Sequence, residues 1–311
     1  MAKTLVILNP NAGNGRASKT WLAIEPALRD GGLEFDLART TAPHQADGFA
    51  ENAKCDGYEI IISVGGDGTT NEIINGLMRG AGDARIGTLG IIPIGSGNDF
   101  AKMLFEPATP ASPQPDWRAA VQRVLAGATR VIDVGRVVAS NATNSHEHFF
   151  LNALDTGFGA HANTHAHEFP YLTGTAMYLA AIFKTLIKFE IDDVTVTLDD
   201  RVITQTSTML AITNGRCVGG GFWIAPTARV DDGLLDVIVA DGLGRAGILA
   251  LLPKVMKGTH IGDPRVKSAQ STRVIIESRS PLAFETDGEI SFNGATRLEI
   301  QLLPKRLQIL M

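Results

Sequence analysis

The sequence predicts an α/β protein in which a doubly wound parallel-sheet domain precedes an antiparallel β-sandwich domain. Up to residue 131, continuous apolar runs alternate with amphipathic stretches, which is typical of parallel strands covered by helices on both faces. After Asp133, short alternating segments follow one another, which is typical of antiparallel sheets. We therefore expect domains over about 1–132 and 133–300.

The elements of the first domain follow in order along the chain. Expected strands are 4–8, 33–40, 58–64 and 88–94, and expected helices are 17–30, 43–54, 69–79 and 117–126. Gly31, Gly32 and Gly80 stand where helix C-terminal caps are expected, which supports two of these helix ends. Four prolines in 107–115 predict a surface loop before the fourth helix.

The second domain is predicted to be mostly β-structure. Expected strands are 194–200, 202–213, 233–240, 273–278 and 297–303, and expected helices are 171–189 and 244–257. Helix 171–189 places Leu172, Leu179 and Phe183 on one stripe, which favours packing on the sandwich over the alternative of membrane contact.

Composition excludes several classes of protein. The 28 basic and 33 acidic residues offer no excess positive charge for nucleic acid, so we expect no nucleic-acid partner. Cys55 and Cys217 have no zinc-site or disulfide spacing, which fits a cytoplasmic protein.

The N-terminal apolar run is too short for a secretory signal, and the apolar tract 176–183 is far shorter than the about 20 residues that span a bilayer. Any membrane contact should be peripheral.

Three glycine-rich loops follow three of the first domain's predicted strands. They are 9–16, with the sequence NPNAGNGR, Gly65–Glu72 and Gly95–Phe100. Ligands bind beyond the carboxyl ends of strands in an open parallel sheet, so these loops should share one crevice. Glycines allow close backbone approach, and helix N-termini bind anions, which together indicate a polyphosphate site.

One other nucleotide-binding motif resembles part of the first loop, and a second is absent from it. Gly13-x-Gly15-x-x-Ser18 imitates a dinucleotide fingerprint but lacks its third glycine. A dinucleotide-dependent oxidoreductase is therefore one alternative. No GK[ST] sequence follows Gly13 or Gly15, so a kinase of this sequence is not a P-loop kinase.

The three loops, taken in order as NPNAGNG, GGDGTTNE and PIGSGNDFA, resemble the diacylglycerol kinase catalytic domain family, and most of all its bacterial lipid kinases. The likeness continues through Asn214–Arg216, Gly219–Gly221, Asp231–Leu234 and Asp287–Glu289, so it covers nearly the whole chain. It implies an NAD kinase/phosphofructokinase-like first domain, with 301–311 returning to it as a last strand. It also implies an active site in the cleft between the domains.

The resemblance implies a site for ATP in this chain. The positions that match the family's ATP contacts are Asn9, Thr40, Gly66, Asp67, Gly68, Thr69, Thr70, Asn71, Glu72 and Ser96. Ser96 stands where the family usually has Thr, which keeps the hydroxyl. Ala12 stands where the family usually has Ser, which removes one expected phosphate donor.

The resemblance also implies Mg²⁺ in the second domain. The matching positions are Arg229, Asp232 and Leu234, with two backbone carbonyls and one carboxylate as ligands. Oxygen ligands suit this cation. From the residues alone, DDGLLD is typical of a hairpin turn.

Asp287-Gly288-Glu289 is the predicted catalytic segment. The Asp-Gly pair predicts a turn that presents two carboxylates, with Glu289 as general base and Asp287 as the residue that orients it or a metal-bound water. Read without the resemblance, the segment is typical of a solvated hairpin tip.

The expected function is transfer of the γ-phosphoryl group of ATP to the hydroxyl of a lipid reached at a membrane surface. The resemblance is also compatible with a homodimer. NAD kinase shares the GGDGT motif and remains an alternative, as does a regulator that binds a nucleotide without turnover. The sequence does not identify the lipid acceptor, because the shape of the binding pocket decides which lipid binds and the spacing of motifs does not reveal that shape.

Overall fold

The computed structural model describes residues 2–104, 109–110, 115–166, 168–169, 171–187, 192–199, 201–289 and 292–311, with the backbone alone for 192, 203–207 and 241. The chain forms two compact units. One contains Met1–Asp133 and Pro304–Met311, and the other contains Val134–Leu303. Each unit is described by itself below.

The first unit alternates strands and helices. Its elements are β1 (Thr4–Leu8), α1 (Arg16–Asp30), β2 (Asp36–Arg39), α2 (Ala46–Cys55), β3 (Ile60–Gly65), α3 (Asp67–Met78), β4 (Thr88–Pro93), a 3-10 turn (Ala101–Leu104) and α4 (Trp117–Ala126). Of the predicted proline-rich loop, residues 107–108 and 111–114 lie outside the described residues.

The strands of this unit form a parallel sheet in the order β2-β1-β3-β4. Residues 308–309 of the last strand of the chain, β14 (Ala295–Leu310), pair in parallel with β4. Side chains of β1 alternate between the two faces, so that Val6 and Leu8 share one core cluster with Trp21 of α1 and Val121 of α4. Helices α2 and α3 pack against each other.

The second unit is mostly antiparallel β-structure. Its elements are the larger part of β5 (Thr129–Ser140), then β6 (Ser145–Phe150), β7 (Ala153–Gly157), α5 (Phe158–Ala166), α6 (Gly174–Thr185), β8 (Asp192–Leu198), β9 (Arg201–Thr213), β10 (Leu235–Asp241), α7 (Arg245–Met256), β11 (Val266–Ser271), β12 (Arg273–Leu282) and β13 (Phe284–Thr286), followed by β14 up to residue 303.

Antiparallel pairing runs in the order β11-β10-β9-β8-β12-β14, and β9 also pairs with β7, which pairs with β13. Side chains from all of these strands except β11, and from β5 and β6, enclose one apolar core, which includes Phe150, Leu154, Ile212, Ile276 and Leu298. The predicted fold class, a parallel α/β domain with an antiparallel β-sandwich domain, is confirmed.

Helices α5, α6 and α7 contribute to a second apolar cluster in this unit. Phe158, Ile182 and Ile248 pack there with Ile238 of the sheet. The predicted helices 171–189 and 244–257 are observed as α6 and α7, and residues 188–191 lie outside the described part of the chain. Over the residues that the structure describes, no helix has both the length and the apolar character needed to cross a membrane.

Gly76 provides a test of helix packing in the first unit. A Cβ at this position would lie 2.1 Å from the backbone oxygen of Asp47, so Gly76→Ala should force α2 and α3 apart. We expect the free energy of unfolding in urea to fall by roughly 2 kcal/mol.

Gly48→Ala is the matched control, because Gly48 lies within α2 and a Cβ there would meet no atom within 4 Å. We expect this variant to gain about 0.5 kcal/mol from the higher helix propensity of Ala. Equal stability of the two variants would show that α2 and α3 do not pack as closely as described.

Candidate active site

The glycine-rich loops after β3 and β4 are in backbone contact. A Cβ on Gly95 would lie 2.5 Å from the Cα of Gly66, and a Cβ on Gly66 would lie 3.0 Å from the Cα of Gly95. A side chain at either position would therefore push the two loops apart. Gly66 of the GGDGT sequence and Gly95 of the GSGND sequence allow the two backbones to meet.

The loop after β1 is joined to the same place by side chains. The Nδ2 of Asn9 donates to the Oγ1 of Thr69 at 3.0 Å. Arg16 donates through Nη2 to the carbonyl oxygens of Ile94 and Gly95, at 3.1 and 3.0 Å. All three predicted loops thus come together at the carboxyl edge of the parallel sheet.

Helix α3 begins within this group of loops. Its N-cap is Gly66, which has no side chain to cap the helix. The N-terminus of a helix carries unsatisfied N–H groups and partial positive charge, which suits a phosphate group. Thr69, Thr70 and Asn71 of the first turn are buried, and the Oγ1 of Thr70 lies 3.0 Å from the Oγ of Ser63.

Asp67 connects this helix to the loop after β4. Its Oδ1 accepts a hydrogen bond from the N–H of Phe100 at 3.2 Å. A Cβ on Gly97 would lie 3.2 Å from the Oδ2 of Asp67. Ser96 is exposed in the same loop, so its hydroxyl is accessible to a ligand.

Two more of the predicted ATP-binding residues, Glu72 and Thr40, have clear structural contacts. The carboxylate oxygens of Glu72 accept the N–H groups of His44 and Ala46, at 3.1 and 3.0 Å, at the start of α2. Thr40 is buried, and its N–H donates to the carbonyl oxygen of Leu8 at 3.0 Å. Contact of either residue with ATP stays a prediction.

The predicted catalytic segment forms a tight turn in the second unit. Asp287 and Gly288 both have positive φ, of 50° and 90°, as the central residues of a type I′ turn do. Thr286 and Glu289 close the turn, because each donates its N–H to the carbonyl oxygen of the other at 2.9 Å. The side chain of Glu289 is exposed.

The carboxylate of Asp287 accepts three backbone N–H groups. Its Oδ2 bonds to the N–H of Leu151 at 2.8 Å, and its Oδ1 bonds to those of Asn152 and Ala153 at 2.9 and 3.0 Å. Its own N–H donates to the carbonyl oxygen of Ala153 at 2.9 Å. Asp287 therefore ties the turn to the segment that enters β7.

A pair of buried carboxyl groups lies next to this turn. Asp155 of β7 and Glu285 of β13 are opposite each other in the strand register. Burial raises the pKa of Asp155 to about 7, against the hydrogen bond with Glu285. Burial, followed by the negative charge of Asp155, raises the pKa of Glu285 well above its usual range. The pair therefore retains a proton at neutral pH, because two buried carboxylates in contact repel each other.

The predicted magnesium loop is a turn at Gly233, whose φ is 79°. The Oδ1 of Asp232 accepts the N–H of Leu234 at 3.1 Å, and the Nε of Arg229 lies 3.5 Å from the Oδ1 of Asp231. Among the described residues, no group of three or more His, Cys, Asp or Glu side chains is arranged to hold a metal ion. The predicted ligands include only one such side chain.

The carboxyl group of Asp236 is close enough to this loop to interact with the charge of Asp232. Burial, and then the charge of Asp232, raise the pKa of Asp236 to about 6. Its Oδ2 is buried without a hydrogen-bond partner among the described residues. A hard cation bound by oxygen atoms would offset this charge, so the residues present fit Mg²⁺ chemically.

Several residues around the turn were not predicted from the sequence. They are Asp155, Glu285, Asn163 and Tyr178. Glu285 and Asn163 hydrogen-bond to Gly288 of the turn. Asp155 lies opposite Glu285, and Tyr178 hydrogen-bonds to Asn163. The one signal in the sequence is an acidic residue within each apolar strand segment, in NALDTG and PLAFET. Such a residue is either on a solvent face or buried with a partner.

Comparisons with known proteins agree with this arrangement. The diacylglycerol kinase catalytic domain family matches residues 3–137. The YegS C-terminal NAD kinase beta sandwich-like domain family matches residues 152–311. These two matches and the two units define a kinase of the lipid kinase class.

Curated relatives extend this similarity over the whole chain. A diacylglycerol kinase of Bacillus subtilis (strain 168) is 25% identical, with 100% of this chain and 97% of the relative covered. One of Mycobacterium tuberculosis (strain ATCC 25618 / H37Rv) is 28% identical, with 100% and 95% covered. A "Probable lipid kinase YegS-like" protein of Pseudomonas aeruginosa is 33% identical, with 79% and 75% covered. The chain belongs to the diacylglycerol kinase catalytic domain family, whose members are phosphotransferases.

Solved structures show the same fold. A diacylglycerol kinase from Bacillus anthracis str. Sterne has a TM-score of 0.71 at 23% identity, with 99% of this chain and 96% of that chain covered. Yeast NADH kinase complexed with NADH has a TM-score of 0.51 at 10% identity, with 99% and 83% covered. The second likeness is one of fold alone.

Asp287 should contribute strongly to stability. Asp287→Ala would leave the N–H groups of Leu151, Asn152 and Ala153 without their acceptor, so we expect the free energy of unfolding to fall by about 3 kcal/mol. Glu289→Gln is the control, since an exposed substitution should change stability by less than about 0.5 kcal/mol. Equal unfolding curves for the two variants would contradict the role of Asp287 in holding the turn.

The buried carboxyl pair should make stability depend on pH. Because the folded pKa of Asp155, about 7, exceeds its ordinary value of 3.8, its contribution is complete below about pH 4 and is lost as the pH rises through about 7. As the pH rises from about 4 to about 7, we expect the free energy of unfolding to fall further for the wild-type protein than for Asp155→Asn, by on the order of 3 kcal/mol. Denaturant unfolding at several pH values measures this difference.

The control for that experiment is Asp193→Asn, which changes an exposed carboxylate on β8. Its pH dependence should follow that of the wild-type protein. If Asp155→Asn also followed the wild type, the carboxyl pair would not be holding a proton.

Proposed function

We propose that this protein is an ATP-dependent lipid kinase, which transfers the γ-phosphoryl group of ATP to a lipid hydroxyl with Glu289 as the general base. One observation carries the proposal. In a chain of the diacylglycerol kinase family, an exposed glutamate stands on a turn whose backbone is held by hydrogen bonds. A general base needs this combination of access and fixed direction.

The first unit is proposed to bind the phosphates of ATP. The N-terminus of α3 supplies N–H groups and positive dipole, and the glycines at positions 66, 68 and 95 allow the phosphates to approach the backbone. Thr69 and Ser96 offer hydroxyl groups, and Asn9 reaches Thr69 from the neighbouring loop. Asp67 is proposed to contact the ribose or the water shell of a metal ion.

Mg²⁺ is the proposed metal of this enzyme. In the second unit, the carbonyl oxygens of Arg229 and Leu234 and the carboxylate of Asp232 would hold it. The Oδ2 of Asp236, which has no hydrogen-bond partner in the described part of the chain, belongs to the same segment. When bound, the ion supplies positive charge that offsets the surrounding carboxylates and orders water.

Glu289 is proposed to take the proton of the acceptor hydroxyl. The hydroxyl oxygen forms a bond to the γ-phosphorus while the bond from that phosphorus to the oxygen bridging it to the β-phosphate breaks. The proton passes to Glu289, and the products are the phosphorylated lipid and ADP. Asp287 contributes by holding the turn, through its three backbone N–H bonds.

The acceptor is proposed to be diacylglycerol or a related lipid, reached by peripheral contact with a membrane. Tyr171, Phe183 and Ile187 at the two ends of α6 are 96%, 56% and 71% exposed. These exposed side chains are the proposed points of contact with the lipid surface. Cytoplasmic localisation and a homodimer remain parts of the proposal.

The test is turnover of ATP labelled in its γ-phosphate, with Mg²⁺, a panel of lipids in mixed micelles, and NAD⁺ as the control acceptor. Glu289→Gln should lower kcat by on the order of 10²- to 10⁴-fold, because it removes the proton acceptor and little else. Glu277→Gln, which changes an exposed glutamate on β12, should retain wild-type activity.

Three outcomes separate the candidate functions. Label in a lipid product that is lost in Glu289→Gln supports the lipid kinase. Label on NAD⁺ alone would identify an NAD kinase. ATP binding without any labelled product would identify a nucleotide-binding regulator. Full turnover by Glu289→Gln would overturn the assignment of the base.

A further inference from the structure

Both peptide groups of Gly288 are held by buried side chains. The N–H of Gly288 donates to the Oε2 of Glu285 at 2.5 Å. Its carbonyl oxygen accepts a hydrogen bond from the Nδ2 of Asn163 at 2.8 Å. Glu285 and Asn163 are 6% and 3% exposed. The two peptide planes on either side of the Gly288 Cα are therefore fixed from opposite ends of the residue.

The direction of the Asn163 amide is set by a third residue. The hydroxyl group of Tyr178, on α6, donates to the Oδ1 of Asn163 at 2.9 Å. Because the oxygen of the amide faces this donor, its nitrogen faces Gly288. Tyr178 also approaches the turn itself, since a Cβ on Gly288 would lie 4.0 Å from its Oη. Helices α5 and α6 thus reach the turn through one hydrogen-bonded chain.

The position of Glu285 is set by the buried carboxyl pair. Asp155 lies opposite Glu285 in the strand register and hydrogen-bonds to it. One proton in the pair allows one carboxyl group to donate to the other, while the Oε2 of Glu285 still accepts from Gly288. Because the pair is buried away from water, its hydrogen bonds keep the Glu285 side chain in one position more firmly than they would keep an exposed carboxylate.

These contacts decide where Glu289 can point. Gly288 has a φ of 90°, which glycine adopts without strain but does not prefer over its other conformations. In the turn, the N–H and carbonyl groups of Glu289 are paired with Thr286. With Gly288 also held, the Cα–Cβ bond of Glu289 has a single direction, so the direction of its carboxylate then depends on the side-chain torsions alone.

We propose that Asn163, Tyr178 and Glu285 are positioning residues for phosphoryl transfer, which hold the peptide groups of Gly288 and thereby direct the carboxylate of Glu289. The proposal rests on the proposed role of Glu289 as general base. None of the three residues touches the reacting atoms in this scheme. Their effect is on the fraction of time that the base is in the productive direction.

Tyr178→Phe is the first variant to measure, because it removes one hydroxyl group and keeps the ring that packs edge-on against Phe222. We expect kcat to fall roughly 10-fold while the KM for ATP changes less than about 2-fold. Hydrogen exchange at the backbone amides of 286–289 should become faster, since the turn loses a support.

Thr185→Val is the matched control. Thr185 of α6 is buried, and its Oγ1 lies 2.9 Å from the Nδ1 of His165 on α5. This variant removes a partly buried hydrogen bond between the same two helices but none to the turn. We expect wild-type kcat and wild-type exchange at 286–289. A loss of activity that merely reflects loosened helices would appear in both variants.

Glu285 is tested with a pair of variants. Glu285→Gln can still accept from Gly288 through its amide oxygen and donate to Asp155 through its amide nitrogen, so kcat should stay within about 3-fold of wild type. Glu285→Ala removes both contacts and should lower kcat by roughly 10- to 100-fold. Rescue by Gln, and not by Ala, would show that the hydrogen-bond pattern matters rather than the charge.

The outcomes separate this proposal from the proposed function. If Glu289→Gln lost turnover while Tyr178→Phe and Glu285→Ala matched Thr185→Val in kcat and in exchange, the positioning proposal would be wrong and the lipid kinase would stand. If Glu289→Gln kept turnover, both the base and its positioning would be overturned. Faster exchange with a lower kcat and an unchanged KM is the result that supports the proposal.

Discussion

The second unit depends on how the buried polar groups near the turn 286–289 are satisfied. Burying a backbone N–H group without an acceptor is costly, and three consecutive residues, Leu151 to Ala153, turn their N–H groups toward one place. The carboxylate of Asp287 accepts all three. This single interaction joins the end of β6, the start of β7 and the turn after β13, so the exposed side chain of Glu289 stands on a part of the molecule that cannot easily move.

A different constraint shapes the first unit. The loops after β3 and β4 can meet only where neither residue has a side chain, and Gly66 and Gly95 provide this contact. Helix α3 begins at the same point, so the contact between backbones and the position of its N–H groups are parts of one arrangement. These loops are close together because the parallel sheet ends there, and glycine allows them to come closer still.

The sequence predicted much of this arrangement because it depends on local properties. Continuous apolar strands, glycines and the change of pattern near Asp133 are visible along the chain. The strands 4–8 and 88–94 were placed to within a residue, and the helix 117–126 was placed with its observed bounds. The contacts of Glu72 with the start of α2 were not visible, since they join residues that are 26 to 28 positions apart.

The sequence by itself determined the fold class, the three glycine-rich loops and the turn at Asp287-Gly288-Glu289, because strand and helix periodicity and turn chemistry act over a few neighbouring residues. Only the tertiary structure decided what surrounds that turn. Asn163, Tyr178 and Asp155 are more than a hundred residues before it in the chain. Their roles arise from burial and from hydrogen-bond partners, which exist only after the strands have paired and the helices have packed.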